Sequence, residues 1–444
     1  MDVMRLYGED VPDAVHVFSH ADGEFFNAVE IGGKRYEFRE RQECAGALEY
    51  KRYAKRFAKL ALYEALRAHT GRSMPWGALT GIRPTKLAYA EEEAGRRFEP
   101  LFEKFGVCAE NISLVADVLA AQRGIYEKRE GNADLYVGIP FCPSKCNYCS
   151  FITADIRRTA PLLPAYLDAL EREIAACEGL YKNLRSLYVG GGTPLVLDTA
   201  SLARVLRAIA PYYREGIEYT VEAGRPDVFT EEKLALLRDF GVTRICVNPQ
   251  SFCDATLARI GRNHTADDIL RAYEMSRKFD FSVNFDLIAG LTGESAEEFC
   301  DSVDRAVALS PENITVHTLC LKKGAKLREE TCFLAGGGIS EMIAYSRRRL
   351  YEAGYVPYYM YRQKYMAGNC ENTGWTKPGK ACVYNVDVME EISDNIACGA
   401  NAVGKKLFLT ENRIERIGSP KDIPTYIAKT EELIAQKRAL FSGK

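Results

Sequence analysis

From residue 134 to about residue 320 the chain alternates short β-branched or aromatic runs with amphipathic helical stretches. This alternation constrains the fold more than any other feature. The strand-like runs cover residues 135–139, 186–189, 218–222, 244–248, 282–287 and 313–317. Helices between them carry capping starts at Thr230-Glu-Glu-Lys, Thr265-Ala-Asp-Asp and Ser295-Ala-Glu-Glu. Repeated strand-then-helix units predict a parallel α/β sheet wound in one hand, either an open doubly wound sheet or an incomplete (β/α) barrel. Either architecture places function at the carboxyl ends of the strands.

The flanks read differently. Residues 1–130 hold strand-like runs at 15–19, 25–31 and 35–39, separated by Ala21-Asp22-Gly23 and Gly32-Gly33, which is hairpin chemistry. Helical spacing follows at 44–69 and 111–130, with a loop-like segment from Trp76 to Lys86 that carries Arg83 and Lys86. This predicts an N-terminal α+β accessory domain. The central βα region occupies 131–335, and 336–444 form an α/β extension packing on it and closing the substrate site. That extension holds a helix to Gly354, a tyrosine-dense run at 355–365 and a final helix from Pro424 to about Phe441.

Charge is balanced, 59 Lys+Arg against 61 Asp+Glu, so no cationic footprint recommends nucleic acid or an anionic membrane as a partner. The first fifteen residues, with acids and a proline, do not resemble a signal peptide, and no run reaches membrane-spanning length. A cytoplasmic location is the expectation. In a reducing compartment the 14 cysteines are buried small residues, metal ligands or catalytic groups rather than a disulfide framework.

Three of them stand out. Tyr136-Val-Gly-Ile-Pro-Phe-Cys142-Pro-Ser-Lys-Cys146-Asn-Tyr148-Cys149-Ser-Phe151 follows the first strand of the central region directly. Thiolates at C-x3-C-x2-C in one loop suit a cubane iron–sulfur cluster with its fourth iron open. A structural zinc site would want a closed set of four ligands, and no fourth is near in sequence. Three buried thiols are the remaining reading. One βα unit later, Gly190-Gly191-Gly192-Thr193-Pro194 ends the second strand, where glycines let a backbone approach a ligand. Glu222, Gln250 and Asp286 lie at the next three strand ends. Carboxylates and an amide there match ribose hydroxyls and a charged aminoacyl group. The other 11 cysteines show no ligand spacing and read as small buried residues.

These residues together resemble the radical S-adenosylmethionine (SAM) enzymes, and within them the oxygen-independent coproporphyrinogen III dehydrogenase family. Thr80-Gly-Ile-Arg-Pro-Thr-Lys86 and Tyr358-Tyr-Met-Tyr-Arg362-Gln-Lys364 resemble its HemZ-type branch. The resemblance implies a partial (β/α)6 barrel, a [4Fe–4S] cluster on Cys142, Cys146 and Cys149, and SAM held by Tyr136, Tyr148, Gly191, Gly192, Thr193, Glu222, Gln250, Arg262 and Asp286. A reduced cluster would cleave SAM to methionine and a 5′-deoxyadenosyl radical, which takes hydrogen from the substrate. The cofactors carry this chemistry, so no protein side chain is assigned a catalytic role. The implied partners are a tetrapyrrole substrate and a low-potential electron donor such as flavodoxin or ferredoxin. The implied reaction is decarboxylation of coproporphyrinogen III to protoporphyrinogen IX.

A substrate with several carboxylates asks for cations, and Arg83, Lys86, Arg362 and Lys364 are the first choices, with Lys405 and Lys406 behind them. Two positions depart from the dehydrogenases: Phe151 stands where they carry a further cysteine, and Gly138 where they usually carry histidine. The alternatives are therefore a haem-binding or haem-transfer protein that keeps the cluster, or a radical SAM enzyme with another substrate.

Overall fold

A computed structural model describes residues 3–7, 11–80, 83–149, 154–320, 338–363, 366 and 369–442. The chain forms two compact units, Met1–Leu119 with Tyr361–Glu371, and Ala120–Met360 with Asn372–Lys444.

In the first unit, β1 (Ala14–Ala21), β2 (Glu24–Ile31) and β3 (Lys34–Arg41) make an antiparallel meander. Both turns need left-handed backbone at two successive residues. Asp22 and Gly23 (φ 49° and 74°) and Gly32 and Gly33 (φ 56° and 75°) provide it. Phe25, Val29 and Ile31 of β2 are buried, and the Phe25 ring meets Phe57 of the helix Ala47–Thr70 with centroids 5.3 Å apart. The segment expected to loop as far as Lys86 instead becomes helix at Pro84 (Pro84–Glu93), since proline is preorganised for a first helical position. The helix expected over 111–130 is Ala109–Gln122. It stops short because Gly124 is left-handed (φ 88°).

The second unit is built on one large sheet. Its parallel strands are β4 (Asn132–Ile139), β7 (Asn183–Gly191), β8 (Glu218–Gly224), β9 (Arg244–Gln250), β10 (Ser282–Ala289) and β11 (Asn313–Thr318), each including the run expected from sequence. A separate two-residue pair, β5 (Phe141–Cys142) and β6 (Ala154–Asp155), lies beyond β4. The chain's later strands are β12 (Val356–Tyr361), β13 (Asn372–Thr376), β14 (Asp394–Cys398), β15 (Val403–Phe408) and β16 (Arg413–Gly418). Sheet order is β12-β13-β11-β10-β9-β8-β7-β4-β14-β15-β16. The C-terminal strands thus extend both flanks of the parallel core: β14 pairs in parallel with β4 (Ile396↔Leu135) and β13 antiparallel with β11 (Ile314↔Trp375). β4, β7 and β9 are buried along nearly their whole length, as strands covered on both faces must be.

The three expected helix starts are real caps. Thr230 accepts from the Lys233 N–H, while Thr265 with Asp268 and Ser295 with Glu298 form reciprocal capping boxes. Among the described residues no helix is long and apolar enough to cross a membrane. Of the cysteines without ligand spacing, Cys177, Cys246, Cys370, Cys382 and Cys398 are buried. Cys44, Cys108, Cys253, Cys300 and Cys320 are only partly so, and Cys332 is outside the described residues.

Candidate cluster and cofactor site

The cysteine loop begins where β4 ends. Cys142 closes β5, and the glycine loop after β7 lies directly against it. The Gly192 N–H donates to the Ile139 carbonyl at 2.7 Å, and the Thr193 N–H to the Phe141 carbonyl at 2.8 Å. Thr193 Oγ1 stands 3.5 Å from Cys142 Sγ. A Cβ on Gly192 would meet the Phe141 oxygen at 2.4 Å and Cys142 Sγ at 3.0 Å. Only glycine permits this approach. Cys146 is buried, and Cys142 and Cys149 are partly exposed.

The two strands that flank β9 are distorted where the candidate carboxylates sit. The β8–β9 register shifts between Val221 and Gly224, flanking Glu222, and the β10–β9 register shifts between Phe285 and Leu287, flanking Asp286. Such bulges re-aim side chains beside a site. Glu222 accepts from the Tyr188 hydroxyl at 2.6 Å and from the Gly191 N–H at 3.1 Å. Burial pushes its carboxyl above the usual range, and the nearby Asp286 charge adds to this. Asp286 accepts from Asn284 Nδ2 at 2.8 Å and lies 3.7 Å from His317 Nε2. Burial pushes it up, but His317, Asn284 and Thr315 together hold it below its ordinary value. Gln250, ending β9, has left-handed backbone (φ 71°), which is costly for a residue with a Cβ. Its buried Oε1 has no hydrogen-bond partner among the described residues.

The loop is tied from behind. Asn147 donates through its main chain to the Ile260 carbonyl and through Nδ2 to the Arg259 carbonyl, both at 3.0 Å. Arg262 reaches the Tyr148 hydroxyl at 2.8 Å and the Asn248 carbonyl at 3.2 Å, leaving a buried Nε without a partner among the described residues. Tyr136 joins a stack with Tyr188 and Tyr384, whose rings are 4.1 Å apart between the latter two. Sequence reasoning gave Tyr188, Tyr384, Ser144 and Arg225 no role. Tyr384 comes from the far C-terminal part and has no local signal. Arg225 stands three residues after Glu222, and that proximity to a candidate strand end was the signal available. Near it His264, 4% exposed, has neither ring nitrogen hydrogen-bonded among the described residues. Burial and the Arg262 charge push its pKa down to about 4.

Of the proposed substrate cations, Arg83, Lys86 and Arg362 belong to the first unit, and Lys405 and Lys406 to the second. Arg83 caps the helix Pro84–Glu93 and Lys86 lies in it, both in the first unit. Arg362, also in the first unit, is buried: it lies over the Trp76 ring at 4.8 Å and donates to the Leu79 carbonyl and to Asn369 Oδ1. Lys406 bonds Asp394 at 2.6 Å, and Lys405 lies 3.6 Å from Glu391. Lys364 and Phe151 lie outside the described residues.

The pattern of the Radical SAM superfamily matches residues 136–306. The oxygen-independent coproporphyrinogen-III oxidase-like protein HemZ of Bacillus subtilis (strain 168) is 36% identical over 391 residues, covering 84% of this chain and 78% of that protein. The chain belongs to the radical SAM superfamily, in its HemZ-type branch. The superfamily's cofactors are a [4Fe–4S] cluster and SAM. Radical SAM relatives with another role also match: the haem chaperone HemW of Lactococcus lactis is 35% identical over 190 residues (42% of this chain, 49% of that one), and HemW of Escherichia coli (strain K12) is 27% identical over 282 residues (62% and 70%). The solved coproporphyrinogen III oxidase HemN of Escherichia coli shares the fold, with a TM-score of 0.56 at 21% identity over 73% of this chain and 74% of that one. The expected partial barrel with flanking additions is thus the observed radical SAM fold.

The residues present fit both cofactors. Among the described residues no three of His, Cys, Asp and Glu converge as ligands of one metal ion, whereas a cubane takes each thiolate on a separate iron. The unpartnered Gln250 Oε1 and Arg262 Nε, with the Glu222 and Asp286 carboxylates, are the hydrogen-bonding groups that a charged aminoacyl nucleoside requires.

Proposed function

We propose that the chain is a radical SAM oxidoreductase that decarboxylates two propionate side chains of coproporphyrinogen III to vinyl groups, giving protoporphyrinogen IX. The observation that carries this reading is the identity to a coproporphyrinogen-III oxidase-like protein across 84% of the chain, both flanks included. When bound, the cluster and SAM supply radical hydrogen abstraction from carbon. Each turnover removes one hydrogen from the propionate β-carbon, releases CO2 from the same side chain and passes one electron to an acceptor.

In this reading Cys142, Cys146 and Cys149 ligate three irons. The glycine loop, Thr193 and Glu222 would hold the aminoacyl end of SAM, with the Glu222 carboxylate suited to its cationic amino group, and Gln250, Arg262 and Asp286 would orient the rest of that molecule. Tyr136 and Tyr148 wall the same space. Arg83, Lys86, Arg362 and Lys364 are the proposed partners of substrate carboxylates, and a low-potential flavodoxin or ferredoxin is the proposed donor. A cytoplasmic setting belongs to the same proposal and rests on the many reduced thiols such a protein would carry.

A specific observation favours the second reading, a haem chaperone. A Cβ at Gly138 would stand 3.3 Å from both the Cys398 carbonyl oxygen and the Tyr136 ring, so the histidine of the dehydrogenases would need these neighbours to give by a few tenths of an ångström. The deciding experiment incubates reconstituted protein, SAM, reductant and coproporphyrinogen III without oxygen and follows the porphyrinogen by mass spectrometry. Loss of two CO2 is expected. Stoichiometric haem binding with an unchanged porphyrinogen mass overturns the enzyme reading in favour of the chaperone.

A further inference from the structure

We propose that Arg225 is a positioning residue for the cysteine loop, acting through Ser144 and held by Asp227. The proposal rests on reading that loop as the cluster's ligand set. Arg225 follows the end of β8 and is 3% exposed. Its Nη1 donates to Ser144 Oγ at 2.7 Å, while Nε and Nη2 form a two-pronged contact with the Asp227 carboxylate at 2.9 and 2.8 Å. Ser144 stands midway between Cys142 and Cys146, so where its hydroxyl is held sets the path of that arm of the loop.

Asp227 is fixed in turn. It lies in the tight turn Pro226–Val228, closed by the Val228 N–H on the Arg225 carbonyl at 3.2 Å. Arg225 is therefore held at the loop by a carboxylate that sits on a hydrogen-bonded turn. A planar guanidinium can hold a carboxylate with two donors and still direct a third outward; an ammonium cannot do so in one geometry.

The other arm is tied from elsewhere, through Asn147 to the carbonyls of Arg259 and Ile260 and through Tyr148 to Arg262. Arg225 ties the Cys142-to-Cys146 arm to the strand end that also carries Glu222. One rigid element then sets both a cluster arm and a carboxylate proposed to hold SAM. Nothing else in the mechanism uses Arg225, and burying a guanidinium is costly unless its bonds are made.

The test uses the full chain reconstituted without oxygen, as wild type, Ser144→Ala, Arg225→Met, Arg225→Lys and the Ser144→Ala/Arg225→Met double variant. Iron per chain, the electron paramagnetic resonance spectrum of the reduced cluster with and without SAM, and the KM and kcat of SAM cleavage are measured. Ser144→Ala and Arg225→Met are expected to retain the cluster, to alter its SAM-dependent spectrum and to raise KM for SAM about tenfold, the scale of a lost hydrogen bond to a charged group, with kcat changed less. The double variant is expected to be no worse than Arg225→Met, and Arg225→Lys to fall between it and wild type. Should Arg225→Met fail to fold, Ser144→Ala carries the test, since it trims one loop hydroxyl. A wild-type spectrum and KM in Ser144→Ala, or full additivity in the double variant, overturns the positioning role alone. A wild type that takes up no cluster overturns the reading of the loop as well.

Discussion

Glu294 is a buried side chain pushed toward neutrality. It is 8% exposed, accepts from the Ser251 hydroxyl, and has a second carboxyl oxygen with no partner among the described residues. Burial raises its pKa from about 4.5 to about 7. Because the folded value is raised, its contribution to stability is fully present below about pH 4.5 and is lost as pH rises through 7. Glu294→Gln is therefore expected to be more stable than wild type at pH 8, by up to about 3 kcal/mol, and to gain little at pH 5. Urea unfolding at both pH values measures this, and equal gains at both would contradict it. At this scale the sequence was informative wherever a residue sits at a strand end: Cys142, Gly192, Glu222, Gln250 and Asp286 follow from counting strands. It was silent on Arg225 with Ser144, because a contact spanning 81 residues leaves no local periodicity to read.

At the scale of elements, the meeting of the β4 and β7 loops is the tightest point of the site. Gly192→Ala would drive a methyl against the Phe141 carbonyl. The expected outcome is incomplete cluster uptake and a loss of about 1–3 kcal/mol, the usual cost of overpacking. Full iron content with unchanged stability would show that the loops can part.

Arg362 poses a similar question in the first unit. Burial lowers its pKa to about 10, with Glu371 opposing, so it stays charged at neutral pH. If its bonds to Leu79 and Asn369 and its seat on Trp76 are its role, Arg362→Met destabilises the protein by about 2–4 kcal/mol. Denaturation followed by tryptophan fluorescence measures that loss. Unchanged stability with a raised KM for the tetrapyrrole would assign Arg362 to the substrate instead. The sequence predicted the strands of the meander and the six parallel strands of the large sheet because alternation and turn glycines are local. It overran the helix Ala109–Gln122, where a left-handed Gly124 outweighed a helical pattern continuing beyond it.

For the whole molecule, the surprise is continuity. The sequence places the residues after 336 as an extension on the barrel, and within it β13 and β14 join opposite flanks of the parallel sheet, beside β11 and β4. Such pairings are set by tertiary register and leave no mark on a strand's own residues. They bring Gly399 against the Gly138 carbonyl just before the cysteine loop begins, so the C-terminal part shapes the site it follows by more than 200 residues. The fold, the three thiolates and the strand-end carboxylates converge on one claim: this loop holds a cluster that cleaves SAM. The most direct test is the yield of 5′-deoxyadenosine per chain from anaerobically reconstituted protein with SAM and dithionite, for wild type and for Cys142→Ala, Cys146→Ala and Cys149→Ala. Formation by wild type and none by any variant is predicted. Product from a variant at the wild-type rate, or none from wild type carrying a full cluster, would contradict it.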